Sequence, residues 1–167
     1  YKRMYYSWDK GGYHFIALSF KRDMDEDSPT YRITSLTEEE IEWLEADLAK
    51  SSQPTVVFSH YGLADDDMVG NFWFEDIPDR AMIGNRSRVR KILEDSGRVK
   101  AVISGHQHWN RMFIHNGIPY FTVTSLVENF NNDGVAAEAY TIVNLDGKKI
   151  QLDIRGNDAA RYEHLTA

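Results

Sequence analysis

An α/β fold, with a parallel sheet carrying helices, is what this sequence predicts, and three observations lead there. Two short apolar runs, Thr55-Val56-Val57-Phe58-Ser59 and Val99-Lys100-Ala101-Val102-Ile103-Ser104, have the length and β-branched content of buried strands. Each follows a stretch of helical periodicity. An earlier strand pattern completes the order strand, helix, strand, helix, strand, which right-handed crossovers convert into a parallel sheet.

The elements follow in chain order. Tyr5 to Trp8 and Tyr13 to Phe20 read as strands joined by a turn at Asp9-Lys10-Gly11-Gly12. The acidic stretch Asp23-Met24-Asp25-Glu26-Asp27, with Pro29, is expected to be a solvated loop; a calcium loop would need a glycine at its bend. Thr37-Glu38-Glu39-Glu40 is a capping box, and Ile41, Leu44 and Leu48 then recur on one face, so 37–50 is expected to be an amphipathic helix stopped before Pro54. A second helix is expected from Asn85 as cap, burying Val89, Ile92 and Leu93 and ending at Gly97. Hairpins follow: Arg111 to His115 with Ile118 to Thr124 around Asn116-Gly117, and Ala139 to Leu145 with Lys149 to Ile154 around Asp146-Gly147. Past Gly156 the pattern lapses. The expected organisation is therefore one domain over 1–155 and a mobile tail over 156–167.

Composition narrows the function. A chain of 167 residues with 42% hydrophobic and 27% charged content is long enough to bury a core as a single domain. A formal charge of −7 argues against a general nucleic-acid binder, though not against a small phosphorylated substrate, whose charge a metal can offset. Without cysteine there are neither disulfides nor thiolate ligands, and the compartment stays open. No apolar stretch approaches the roughly 20 residues that span a bilayer, so a soluble protein is expected.

The chemistry concentrates in His60, which ends the first apolar run, and in Gly105-His106-Gln107-His108, which follow the second. Ligands in parallel sheets bind outside the carboxyl ends of the strands, and one crossover places both ends on the same rim. Continued extension past Ser104 would point both later imidazoles the same way. The three rings are expected to form one metal site. His14, His115 and His164 read as structural or surface histidines.

Phe58-Ser59-His60-Tyr61, followed by an apolar strand and Gly105-His106-Gln107-His108, resembles the last two signature motifs of the calcineurin-like metallophosphoesterases. The likeness extends to about Ile154. It implies two packed mixed sheets flanked by helices, a four-layer sandwich of which this chain would be the C-terminal half. It also implies His60 and His106 on one divalent transition metal and His108 on a second, the complete site holding two ions (Mn, Fe, Zn or Ni) that activate water to hydrolyse a phosphomonoester or phosphodiester. The family's earlier motifs do not occur here: an Asp-x-His, a Gly-Asp pair carrying the bridging aspartate, and a Gly-Asn-His followed by an acid. Gly156-Asn157-Asp158 echoes only part of the third. The chain opens at Tyr1, so the missing motifs, including the general-acid histidine, are expected upstream of it.

Such a half is expected to be inactive, or nearly so, alone. It is also expected to associate with the N-terminal half of the same protein or with itself. The alternative is a non-catalytic scaffold or binding module that keeps the fold. Weaker candidates for the pocket are Asn110 and Arg111. The long connection 61–84, with Asp65-Asp66-Asp67 and Phe72-Trp73-Phe74, reads equally as a lid or as a surface excursion. Arg86, Arg88, Arg90 and Lys91 read as a solvated helix face. Leu126-Val127-Glu128-Asn129, with the later Val143 to Gly156 hairpin, loosely resembles the tail of manganese-dependent diphosphatases of ADP-ribose and CDP-alcohols, a likeness that assigns no substrate.

Overall fold

The computed structural model describes residues 3–166; Tyr1, Lys2 and Ala167 lie outside the described residues, at the two ends of the expected domain and tail. The chain opens with a hairpin, β1 (Tyr6–Lys10) and β2 (Tyr13–Ala17). Its two-residue turn works because Gly11 and Gly12 both take positive φ, 61° and 81°. A two-stranded ribbon, β3 (Lys21–Arg22) and β4 (Thr34–Ser35), closes the acidic loop. Then come α1 (Glu38–Lys50), β5 (Thr55–Phe58), a 3-10 turn at Pro78–Arg80, α2 (Arg86–Asp95) and β6 (Val99–Ser104). A second hairpin, β7 (Arg111–His115) and β8 (Ile118–Thr122), precedes β9 (Tyr140–Leu145), β10 (Lys149–Arg155) and β11 (Ala160–Leu165).

The central sheet runs β1-β2-β5-β6-β8-β7. Its inner pairs β2/β5, β5/β6 and β6/β8 are parallel, and the edge hairpins make it mixed. Strand alternation sends side chains to opposite faces. Ile16, Val57, Val102 and Tyr120 pack with Ile41, Leu44, Leu48, Val89 and Leu93 of the helices. Val56, Ala101, Ile103 and Phe121 instead meet Ile150, Leu152 and Ile154 of the antiparallel sheet β11-β10-β9. The fold is thus a helix layer, a mixed sheet and a second sheet, in agreement with the α/β class expected.

Three local expectations are modified by tertiary partners. Thr37 caps α1, its hydroxyl accepting from the Glu40 N–H at 3.3 Å. The carboxylate of Glu40 does not close the box; buried, it accepts from the Ser19 N–H and hydroxyl, both at 2.7 Å. Asn85 precedes α2 without a side-chain cap, because its amide pairs with both backbone groups of Leu36, at 3.1 and 2.9 Å. The stretch expected as a tail over 156–167 contains β11, which pairs with β10 from Leu165 to Ala160. Alternating exposed and half-buried residues hid that strand, since it presents no fully buried face.

Candidate metal-binding site

The parallel pair β5/β6 ends on one rim, and the backbone there builds the site. The Ser59 N–H donates to the Ile103 carbonyl at 3.0 Å, extending the pairing beyond β5. Past it, the His60 carbonyl accepts from both the Gly105 and His106 N–H groups, at 3.2 and 2.9 Å. Two histidines from distant sequence positions are thereby fixed side by side. His106 Nδ1 lies 3.1 Å from His60 Nε2, with ring centroids 4.8 Å apart. The His108 ring centroid lies 6.3 Å from that of His106.

The route by which the two later imidazoles approach differs from the one the alternation suggested. β6 stops at Ser104, and the His108 N–H folds back onto the Gly105 carbonyl at 3.2 Å with His108 at φ 58°. A turn, not an extended strand, brings the rings together. It drives Gln107 inward, where its side-chain carbonyl accepts from the Thr122 hydroxyl at 2.6 Å and its amide lies 3.5 Å from the Met68 sulfur. A Cβ on Gly62 would stand 2.8 Å from that amide nitrogen, so any larger residue there would push the Gln107 side chain from its place. Asn71, fully buried, donates to the Gln107 carbonyl at 2.8 Å. Gln107, Asn71 and Gly62 shape the site, and sequence reasoning did not find them. The signal available was a glutamine between two histidines, which any polar surface turn also offers.

Partial desolvation and mutual proximity bias the charge of the rings. Desolvation, reinforced by His60, His108 and Arg22, holds the His106 pKa down to about 4, against a small opposing effect of a backbone hydrogen bond at Arg80. Desolvation and the nearby His108 lower that of His60. Desolvation also lowers that of His108, although the Glu128 carboxylate works the other way. Depressed values keep imidazole neutral near pH 7, the form that binds metal.

Aromatic side chains surround the trio. The Tyr61 and Phe74 ring centroids lie 4.0 and 5.0 Å from that of His106, Phe20 stacks 5.9 Å from His60, and Trp73 meets His108 edge-on at 6.0 Å. The 61–84 connection is tied down here: Trp73 Nε1 donates to the Asn129 carbonyl at 2.9 Å, and the Phe72 N–H to that of Phe130 at 2.7 Å.

The donors fit an ion in part. Two ligand nitrogens each about 2.0–2.1 Å from a common ion stand roughly 2.9–3.4 Å apart at tetrahedral or octahedral angles. The 3.1 Å between His60 and His106 matches this. Among the described residues, however, no group of three or more His, Asp or Glu side chains is arranged to hold a metal. The pair has the spacing of two ligands, short of the four or six that a full sphere takes.

In fold, the chain resembles a dimetal phosphatase. That protein, from Danio rerio, superimposes over 98% of this chain and 60% of its own with a TM-score of 0.73 at 14% identity. The Plasmodium protein GAP50, the anchor in the inner membrane complex, matches 98% of this chain and 53% of its own with a TM-score of 0.57 at 13% identity. The chain therefore spans little more than half the length of either. No protein-family model matches the sequence, and no curated protein does.

The remaining candidates have structural partners. His14 sits between Asp9 and Asp47, at 2.6 and 2.9 Å. His115 meets Tyr120 edge-on, and His164 lies 3.2 Å from the Gly117 carbonyl. Asn110 donates to the Asp158 carbonyl at 2.7 Å and accepts from the Thr124 N–H, while Arg111 stacks 3.7 Å over Trp109, so neither turns toward the histidines. Asn157 bonds the backbone of Ala136 and Ala137. Arg86 and Arg90 clamp Asp65, Arg88 pairs with Glu38, and Lys91 with Asp95. Asp66 and Asp67 accept from the Met68 and Val69 N–H groups.

Proposed function

We propose that the chain belongs to a metal-dependent phosphoric ester hydrolase of the calcineurin-like kind and supplies its histidine-bearing portion. The observation that carries this reading is the His60 Nε2···His106 Nδ1 pair at 3.1 Å on the carboxyl rim of parallel strands, in a fold resembling a dimetal phosphatase. His60 and His106 would hold one divalent ion, of Mn, Fe, Zn or Ni, and His108 would approach a second. Ions bound there would activate water and offset charge on a phosphoryl oxygen. The chain's own contribution would be positional: backbone bonds at His60 hold the segments that carry His60 and His106 side by side, the turn around Gln107 brings His108 near them, and Tyr61, Phe74 and Trp73 pack against the rings.

We assign the remaining ligands and the general acid to an N-terminal portion of the same protein, and the chain would associate with that portion or with a second copy of itself. Among the described residues no helix is long and apolar enough to cross a membrane. A scaffold role is the second reading, for which the likeness in fold to an anchor protein speaks. Isothermal titration of the purified chain with Mn²⁺ and Zn²⁺ separates the two. The hydrolase reading expects saturable binding that H60A or H106A abolishes, with little hydrolysis of p-nitrophenyl phosphate by the chain alone. No binding would leave the scaffold.

A further inference from the structure

Glu128 lies in the 125–138 segment after β8, and its Oε2 is 3.3 Å from His108 Nδ1. That nitrogen is buried and has no aligned hydrogen-bond partner. Backbone contacts on both sides fix the encounter. The His108 carbonyl accepts from the Thr124 hydroxyl at 3.2 Å, and its N–H closes the turn at Gly105. The Glu128 N–H lies 3.3 Å from the Ser125 hydroxyl, and the next carbonyl, of Asn129, holds Trp73 Nε1. Trp73 in turn packs its edge on the His108 ring. The backbone that carries Glu128 is thus tied to the loop that carries Trp73, and its half-exposed carboxylate reaches His108 from there.

A neutral imidazole carries its single proton on the nitrogen that faces the acceptor, leaving the other as a lone-pair donor. We propose that Glu128 is a positioning residue: its carboxylate holds His108 as the Nδ1–H tautomer and thereby reserves Nε2 for a divalent cation beside the His60–His106 pair. This rests on the reading of the three histidines as a metal site. It adds the residue that orients the third donor, in the manner of carboxylate–histidine pairs behind metal ligands.

The test uses two readouts on the chain and its E128A and E128Q variants. Long-range ¹H–¹⁵N correlation of the metal-free protein at pH 7.5 should show His108 as Nδ1–H in the parent. E128A should shift it to a mixture rich in Nε2–H, and E128Q, which keeps an acceptor oxygen, should stay closer to the parent. Calorimetric titration with Mn²⁺ should show E128A weakened about 10–100-fold. A parent tautomer of Nε2–H, or one indifferent to E128A, overturns the proposal while leaving the metal reading standing if the parent binds Mn²⁺. A tautomer that shifts as expected in a parent that binds neither Mn²⁺ nor Zn²⁺ overturns the metal reading, and with it the role given to Nε2.

Discussion

Replacing His14 by leucine should loosen the β1–β2 hairpin from α1, and more so in mild acid than in alkali. His14 is 6% exposed and bridges carboxylates from two elements: Nδ1 lies 2.6 Å from Asp9 on β1, and Nε2 2.9 Å from Asp47 on α1. Burial opposes the charged ring, but hydrogen bonds and charge from Asp9 and Asp47 outweigh it and raise the pKa above the ordinary 6.5. A buried hydrogen bond to a charged group contributes about 1.5–3 kcal/mol. The Asp47 arm, with its carboxylate 17% exposed, comes near that range. Asp9 is 58% exposed, so its arm is screened to about 0–1 kcal/mol. Leucine restores the apolar volume, leaving a net loss of about 2–3 kcal/mol at pH 6.

The sign of the pH dependence follows from the direction of the shift. A raised folded-state pKa gives stabilisation that is complete below the unfolded value and is lost as pH rises through the folded one. The gap between parent and H14L should therefore be widest near pH 6 and shrink by pH 9. Urea unfolding followed by tryptophan fluorescence at both pH values measures it; with slopes of about 1–3 kcal/mol/M, the midpoint should move by about 1 M at pH 6. An equal gap at the two pH values, or no gap at pH 6, would refute the imidazolium bridge.

Three further outcomes are expected. Gly156 has φ 127°, and a Cβ there would stand 2.6 Å from the Ala137 carbonyl oxygen, so G156A should lose about 1–3 kcal/mol in the same urea assay. Phe121, 1% exposed between the two sheets, should cost about 3–5 kcal/mol as F121A, read as a fall in thermal midpoint. Asn71 anchors the 61–84 connection to the Gln107 carbonyl, so N71A should speed amide hydrogen exchange over residues 61–84 while leaving α1 and β6 protected.

Much of the fold was legible because its signals are local. The Thr37 cap, the Ile41-Leu44-Leu48 stripe and the paired positive-φ residues at Gly11-Gly12 and Asn116-Gly117 each act within a few residues and hold in the structure. What escaped depends on distant partners. Glu40 serves Ser19 instead of its own helix start, and Asn85 serves Leu36 instead of α2, because burial makes an unpaired backbone N–H costlier than a frayed cap. β11 escaped for the opposite reason. As an edge strand of a half-covered sheet it buries little, and its pairing with β10, not its own hydrophobicity, defines it.

The same distinction runs through the candidate site. That His60 and His106 would meet was readable from strand order, since adjacent parallel strands must end together. That His108 would join them was expected from alternation, and alternation does not operate there: the strand has already ended, and Gln107, not His108, takes the inward place. Metal ligands need directed lone pairs, so neighbouring rings suffice only if something turns each one. For His60 and His106, shared backbone bonds set the two residues side by side, and Phe20, Tyr61 and Phe74 pack against their rings. For His108 the turning is left to side chains from two loops, Trp73 and Glu128. If His108 is the third donor, as proposed, its orientation is the one that a single substitution outside the histidine motif would undo.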